Sequence, residues 1–507
     1  MSLKLENNRK KLFLVFIPLI LSAFTHMWNP IGFPSLHVDE GHYLRKTMST
    51  LEGEGLQPQD RYFAPYFGQI LLAGFFGLFG YPDILNYDDS LESIEHLYLF
   101  PRLLMSFFAI IDTFLIFKIV ERRYGFKVAL IASILFAVLP YTWLIRRIFL
   151  ESIQLPLLLT SILFALYIKD NSRPNHEVGN KKLFFYIAMS GIFLGLSIFT
   201  KIPIFTMIPL VAYLIYTNSN NHKFRNLGLW LIPVLVIPLL WPAHAISIGE
   251  FEKWRDDVLH QTTERKSKPL LNSLKTFFFN DPVLFTLGIS GIIFAAIKRD
   301  LFILLYSIPF LLFLYLIDFV SSFHVIPLLP IFAIAGAKLI VDLSNMIPSA
   351  RVKQITPYII ISSIAIFGLV STYLLISINV NSIVLETHSV LIEKLGESNN
   401  SVTLIGNPLY IWMPRHVFDI DYEDRSYFST RPLTTTDYIL ISDSGQKKIQ
   451  KEDSKRGDFQ KKLFNNTQII ESIKAENMKK GYNIKNYPYS NMKLNPNIKQ
   501  IDIHANY

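Results

Sequence analysis

The sequence predicts a mainly α-helical, polytopic membrane protein of about eleven transmembrane helices, with a small α/β domain at its C-terminal end. Three observations carry that prediction. Hydrophobic residues make up 51% of the 507 and aromatic residues 14%, at a mean hydropathy of +0.32, which exceeds what a soluble fold carries. Apolar runs long enough to span a bilayer recur between residues 12 and 379, separated by short polar turns. Beyond Asn379 the composition becomes polar and mixed, with short alternating runs in place of long apolar ones.

The remaining bulk properties close off several classes. The net charge of +9 is carried mostly in short loops and in the polar tail, so it reads as membrane topology and no nucleic-acid partner is expected. The absence of cysteine excludes disulfides, thiolate metal sites and a cysteine nucleophile. Neither an internal repeat nor a low-complexity tract is evident.

Apolar length places spans near residues 12–28, 98–120, 127–145, 149–168, 183–200, 202–217, 228–248, 277–297, 301–317, 323–341 and 357–379. The first is followed by Trp28-Asn29-Pro30, an interfacial anchor with no small-residue cleavage site, and is expected to stay in the mature chain. A further run, 65–82, carries Pro65, Gly68, Gly74, Gly77 and Gly80, and charge parity decides its placement. If it lies in the interface, Arg9-Lys10-Lys11, Arg122-Arg123, Lys181-Lys182, Lys223 with Arg225, Lys298-Arg299 and Arg351 with Lys353 all fall on one side. That side is then cytoplasmic. If it crossed, the acidic 83–97 loop would be cytoplasmic and the 122–123 and 181–182 loops would face out. The expectation is therefore a cell-membrane protein with a cytoplasmic N-terminus, an interfacial helix in the first outer loop, a transmembrane domain over 1–380 and an extracytoplasmic α/β domain over 381–507. Ser401–Gly406 and Asp437–Asp443 read as buried strands of that domain.

With this topology, loops 29–97, 145–150 and 249–276 share the outer face with the tail, and the charged residues near the membrane collect there. Asp39 and Glu40 form an adjacent acidic pair in His37-Val38-Asp39-Glu40-Gly41-His42, just after the first span. Arg102 opens the second span, Arg146, Arg147 and Glu151 sit at the second outer turn, Lys201 joins the fifth and sixth spans, and His324 begins the tenth. Cations beside a carboxylate at a bilayer surface suit a substrate whose leaving group is a lipid-linked phosphate: the cations neutralise the departing phosphate, and the carboxylate takes the proton of an attacking hydroxyl. Glycosyl transfer is the expected reaction.

The motifs resemble, in order and topology, those of GT-C glycosyltransferases of the protein O-mannosyltransferase and aminoarabinose (lipid A) transferase group, over roughly residues 10–345. The resemblance rests on Val38-Asp39-Glu40-Gly41-His42-Tyr43, Ala64-Pro65-Tyr66, Pro101-Arg102-Leu103-Leu104 and Arg122-Arg123-Tyr124-Gly125. It continues in Arg147 followed by Glu151, Phe199-Thr200-Lys201-Ile202-Pro203, and His324-Val325-Ile326-Pro327-Leu328-Leu329-Pro330. It implies a GT-C fold, a polyprenyl-phosphate sugar donor, a protein, glycolipid or glycan hydroxyl as acceptor, and inverting transfer with Asp39 as base. By the same resemblance Glu40 and Glu151 join Asp39 as catalytic residues, and Arg102, Arg146, Arg147, Lys201, His324 and Tyr66 bind substrate. Ile202 in place of glycine after the lysine, His324-Val325 in place of Arg-Tyr, and Glu151 in place of Asp depart from the family pattern.

Other readings stand beside these. Asp39 and Glu40 also read as solvated loop carboxylates, Lys201 as a snorkelling lysine, and Arg102 and one of Arg146 and Arg147 as interfacial anchors. His37 and His42, with Asp39 and Glu40, are candidate ligands for a divalent cation, which the spacing leaves unassigned. In the tail, Pro408, Trp412, Pro414, Asp419, Asp421, Glu423 and Asp424 are candidates for facing the acceptor, and Asn399-Asn400-Ser401 and Asn465-Asn466-Thr467 are sequons. The alternative function is a polytopic transporter or flippase for a lipid-linked or anionic substrate, which would show pseudo-symmetric halves and midplane charges.

Overall fold

The computed structural model describes residues 2–57, 61–85, 90–171, 177–220, 222–265, 267–396, 402–406, 412–413, 422–426, 437–442, 468–474 and 500–505. Pro408, Pro414, Asp419, Asp421 and the sequon asparagines Asn399 and Asn465 lie outside them.

Helices dominate. In chain order they are α1 (Ser2–Met27), α2 (Val38–Leu51), α3 (Phe67–Leu78), α4 (Ser90–Tyr124), α5 (Phe126–Val138), α6 (Leu150–Asn171), α7 (Glu177–Thr200) and α8 (Ile208–Asn218). They continue with α9 (Lys223–Ser247), α10 (Phe251–Leu259), α11 (Leu270–Asn280), α12 (Pro282–Lys298), α13 (Leu301–Leu316), α14 (Leu329–Asn345), α15 (Ala350–Ile376) and α16 (Ser382–Gly396). Among the described residues, six helical segments are long and apolar enough to cross a membrane: α4, α6, α7, α9, α14 with the turn before it, and α15. A seventh candidate is α5 with the turn that follows it, bent by 70°. The other expected spans correspond to shorter apolar helices at Phe13–Met27, Ile202–Asn218, Pro282–Lys298 and Leu301–Leu316. The run near 65–82 forms α3, whose 12 residues reach only about 18 Å at the helical rise, short of a ~30 Å hydrocarbon core.

Proline explains where the helices depart from straight rods. The span expected at 127–145 stops at Val138, because Pro140 pushes Leu139 into extended backbone (φ −76°, ψ 139°), and the chain continues as a 3-10 turn, Pro140–Arg146. Similar 3-10 turns, Ile202–Met207 before α8 and Ser322–Leu328 before α14, contain Pro203 and Pro327. The span expected at 277–297 begins instead at Pro282. Asp281 caps it, accepting from Leu284 N at 2.9 Å, with proline at the first helical position where a missing N–H costs nothing.

Small residues set the closest helix contacts, as expected where apolar lipid supplies no drive for helices to associate. On α7, Gly191 and Gly195 face α9: a Cβ at Gly195 would lie 2.6 Å from the Pro233 carbonyl oxygen, and one at Gly191 2.7 Å from Pro233 Cγ. Gly288 and Gly291 of α12 meet Phe332 and Ala335 of α14 in the same way. Paired serines tie α6 to α7, Ser161 Oγ donating to the Ser190 carbonyl at 2.7 Å and Ser190 Oγ returning to the Ser161 carbonyl at 3.0 Å.

The C-terminal part forms a five-stranded sheet ordered β2-β1-β3-β5-β4 from β1 (Val402–Gly406), β2 (Tyr422–Ser426), β3 (Asp437–Ser442), β4 (Gln468–Lys474) and β5 (Gln500–Ala505). β1 runs parallel to β2 and β3, and β5 is antiparallel to β3 and β4. The alternating runs read from sequence are β1 and β3. Ile501, Trp412 and Met413 share a buried cluster with Leu391, Ile392 and Leu395 of α16 and with Leu44 and Met48 of α2. Trp412, a candidate acceptor-facing residue by sequence, is 5% exposed and packs on Gly41 instead.

The α7–α9 contact yields a prediction. Gly195→Leu forces the two helices apart and lowers stability by about 1–3 kcal/mol, whereas Gly228→Ala on α9, with nothing within 4 Å of its Cβ position, leaves it within about 0.5 kcal/mol. Thermal unfolding in detergent measures both.

Candidate active site

Glu40 anchors the site without facing it. The N-terminal turn of α2 carries His37 as N-cap, and Glu40 closes a capping box by accepting from His37 N at 2.8 Å. The Glu40 carboxylate is fully buried and accepts two bonds from Arg102 of α4, from Nε at 3.0 Å and Nη2 at 2.9 Å, plus one from Ile148 N at 3.2 Å. Arg102 Nη1 donates to the Pro30 and Pro34 carbonyls at 2.9 and 2.8 Å. One ion pair thus joins the 30–37 loop, α2, α4 and the turn after the 70° bend. Burial alone would raise the Glu40 pKa, but the Arg102 and Arg147 guanidiniums outweigh it and hold the carboxyl below the usual carboxylate range.

Asp39 faces the other way. It lines a cavity of about 560 Å³ together with His37, His42, Lys201 and His324, and with Arg265 and Lys268 of the loop between α10 and α11. Asp39 is part-exposed, with His37 Nδ1 accepting from its backbone N at 3.2 Å. Burial and the nearby Arg147 hold the His37 imidazole below its ordinary pKa, so it is neutral near pH 7. The His37 ring packs edge-on against Phe149 and Phe323, at 5.3 and 5.7 Å.

Lys201 lies just before the second 3-10 turn, its ammonium over the Phe323 ring at 5.0 Å and paired with Glu151 at the start of α6. His324 Nε2 is 4.0 Å from the same Glu151 oxygen, and its Nδ1 accepts from Ser321 N at 3.1 Å. Glu151 is 2% exposed. Arg265 and Lys268 reach the cavity because Lys268 pairs by backbone with the segment after α13: Lys268 N donates to Asp318 O at 2.7 Å and Val320 N to Lys268 O at 2.8 Å. Lys268 Nζ then donates to Ser321 Oγ at 2.9 Å, and the Arg265 guanidinium stacks 4.6 Å over Phe319. Leu150, Ile202, Phe313 and Ile317 supply apolar wall.

Of the residues singled out by sequence, Asp39, Lys201 and His324 line this cavity, and Glu151 stands behind Lys201. Five others lie outside its lining. Glu40 and Arg102 are bonded to each other and to backbone. Arg146 is fully buried beneath Phe33, donating to the Trp28 carbonyl, and Arg147 donates to Ser35 Oγ at 2.8 Å with its guanidinium over Trp143. Tyr66 is 2% exposed and its hydroxyl meets His244 Nδ1 at 3.1 Å, bracing the 61–66 loop against α9. His37 and His42 both line the cavity, yet among the described residues no group of three or more His, Asp or Glu is placed to hold a metal ion. Of the two carboxylates in that candidate set, Asp39 lines the cavity and Glu40 is turned to Arg102.

Arg265, Lys268 and Lys46 are the cavity cations that the sequence reading did not single out. The signal was present in Arg265-Lys266-Ser267-Lys268, a basic cluster on a loop assigned to the outer side, where the positive-inside rule disfavours one.

The pair at the base of the site predicts its own failure. Arg102→Met leaves a buried carboxylate unpaired and costs about 3–5 kcal/mol in thermal or denaturant unfolding. Because the folded-state pKa of Glu40 lies below its unfolded value, its contribution is present above the ordinary carboxylate range and is lost as the pH falls through the folded value. Glu40→Gln therefore weakens the protein at neutral pH and flattens the acid limb of its stability curve.

The solved structures that resemble this one agree on its architecture. The crystal structure of the Archaeoglobus fulgidus oligosaccharyltransferase tethered with an acceptor peptide aligns at TM-score 0.55 and 11% identity, over 85% of this chain and 69% of that one. A structure of the same archaeal enzyme in complex with an inhibitory peptide and a dolichol-phosphate aligns at 0.53 and 13%, over 82% and 64%. ArnT from Cupriavidus metallidurans bound to undecaprenyl phosphate aligns at 0.52 and 12%, over 97% of both chains. No curated protein sequence matches significantly. Residues 94–245 match the family model described as dolichyl-phosphate-mannose-protein mannosyltransferase, and that family and these neighbours are glycosyltransferases. The chain carries the GT-C glycosyltransferase fold.

Proposed function

We propose that the protein transfers a sugar, with inversion, from a polyprenyl-phosphate donor to a hydroxyl group at the non-cytoplasmic face of the membrane. The observation that carries this is the shared cavity: the Asp39 carboxylate and the cations Lys201, Arg265 and Lys268 line one space of about 560 Å³ that also has apolar wall. The bound lipid phosphates of the archaeal oligosaccharyltransferase and ArnT support the donor class, and the tethered acceptor peptide of the former supports a macromolecular acceptor.

In this reading the acceptor oxygen attacks the anomeric carbon as Asp39 takes its proton. The bond from that carbon to the phosphate oxygen breaks, and the electron pair leaves with the lipid phosphate. Lys201, Arg265 and Lys268 surround the charge that develops there in a site partly screened from water. Glu151 is a positioning residue, holding the Lys201 ammonium and, through its contact with His324, the start of the third 3-10 turn. The eleven apolar segments are read as eleven crossings, with α3 in the interface, the N-terminus cytoplasmic and the C-terminal sheet outside.

Two experiments test this. With a panel of polyprenyl-phosphate sugars, Asp39→Asn lowers turnover by at least about 100-fold while donor affinity stays within about threefold, and Lys201→Ala weakens donor affinity by about 10-fold or more. Unchanged turnover in Asp39→Asn removes the base. The cysteine-free chain also suits labelling by impermeant thiol reagents: Glu92→Cys and Ser442→Cys label from outside and Lys182→Cys only after permeabilisation. Inside labelling at position 92 reverses the placement of α3.

A further inference from the structure

A second cavity, of about 580 Å³, lies at the opposite end of the helix bundle among the ends of α4, α8, α12, α13 and α14. It is separated from the first by most of a bilayer: Arg102, behind the first cavity, and Arg123, lining the second, lie 21 residues apart on α4, about 32 Å by helical rise. We propose that it binds the phosphate headgroup of an anionic phospholipid of the cytoplasmic leaflet.

The charge within it is unbalanced. Arg123, Lys298, Arg299 and Lys338 line it against two carboxylates, Asp300 and Asp342, and both carboxylates are already engaged. Asp342 accepts from Lys338 Nζ at 2.7 Å. Asp300 accepts from the Tyr124 hydroxyl at 3.0 Å and caps α13 through Phe302 N at 3.2 Å. Arg123, Lys298 and Arg299 are left with no carboxylate partner among the described residues, and all three are exposed. Arg299 is brought to the rim by a left-handed turn (φ 55°) that ends α12, its backbone N–H bonded to Ala296 O at 3.1 Å. Arg123 also bonds the Tyr124 side chain, and three cations without a carboxylate partner around a concave space between membrane helices match the chemistry of a phosphate ester.

The surroundings identify a lipid as the source of that phosphate. Leu301 of α13 and Met346 of α14, both exposed, line the opening itself, and Ile293 and Ile297 of α12 and Leu343 of α14 are exposed large apolar side chains on the helices that form it, Ile297 at 72%. A headgroup held by Lys298 and Arg299 would leave its acyl chains along α12. A free anion has no use for that surface. The site shares no residue with the transfer cavity and stands whether or not the transferase reading does, while its assignment to the cytoplasmic leaflet rests on the proposed topology.

The test uses the purified full-length protein in detergent with added lipid. Native mass spectrometry counts bound phosphatidylglycerol and phosphatidylcholine of matched chains, and thermal unfolding follows protection by each lipid, by sn-glycerol 3-phosphate and by inorganic phosphate. Saturable phosphatidylglycerol binding is expected, at least about 10-fold weaker in Lys298→Ala/Arg299→Ala and unchanged in Lys353→Ala, a basic residue at the same end outside the cavity. The substituted side chains are exposed, so the double variant unfolds at the wild-type temperature without added lipid. Wild-type binding in the double variant overturns the proposal, as does equal loss in Lys353→Ala, which would mean diffuse surface charge. Equal protection by inorganic phosphate would mean a free-anion site and also overturns it.

Discussion

The buried Glu40–Arg102 pair is the interaction on which the candidate site depends. Desolvating an isolated carboxylate and an isolated guanidinium costs several kcal/mol each, and a pair withstands that cost only when the remaining hydrogen-bonding positions are filled. Here they are filled by backbone from three other places: Ile148 N on Glu40, and the Pro30 and Pro34 carbonyls on Arg102. The first-loop helix can therefore occupy only one orientation relative to α4 and to the turn at 146–150. Asp39 inherits its direction from that constraint.

Proline supplies the second constraint. A helix running straight to the bilayer surface would present its terminal polar residues to water. The turns at Pro140–Arg146, Ile202–Met207 and Ser322–Leu328 end or delay the regular helix, and Arg147, Lys201 and His324 occur at or in them. Proline lacks the N–H that an α-helix would use and disfavours helical backbone in the residue before it, so each break is written into local sequence. The loop pairing between Lys268 and the 318–320 segment closes the remaining side with Arg265 and Lys268. The cavity is thus framed by irregular backbone that is held by protein, the circumstance in which a membrane protein tolerates such backbone at depth.

Apolar periodicity made most of the helical frame legible, because span length follows from bilayer thickness and a one-dimensional sum of hydropathy detects it. The α3 segment is ambiguous to such sums: its glycine-rich run matches a span in composition, its helix is 12 residues long, and the charge parity of the flanking loops is the one sequence signal that bears on its placement. The site was legible only in part for a different reason. Asp39, Lys201 and His324 lie at span boundaries, where charge is conspicuous against apolar neighbours. Arg102, Arg146 and Arg147 are just as conspicuous and are used for structure, since sequence position reports depth in the membrane but not which way a long side chain turns. Arg265 and Lys268 were hidden by the opposite circumstance, a polar loop in which basic residues attract no notice until the backbone pairing with residues 318–320 is known.

The adjacent acidic pair shows why a shared motif divides into two roles. Successive residues on an α-helix point about 100° apart, so at the first turn of α2 one carboxylate facing the cavity requires its neighbour to face the protein. A lone buried carboxylate there would be expelled or neutralised, which is why a guanidinium from α4 must meet it. Leu44 and Met48 hold the middle of the helix by apolar packing, but Glu40 is what ties its first turn to α4. The pairing of Glu40 and the capping box at His37 fix the start of the helix, and together they hold Asp39 at the cavity with, among the described residues, no direct bond from an Arg or Lys to its carboxylate. In the proposed transfer that arrangement suits a base, because a permanent ion pair would stabilise the ionised carboxylate and lower its affinity for the proton. The second carboxylate of the pair thus has a mechanical part, which is to orient the first.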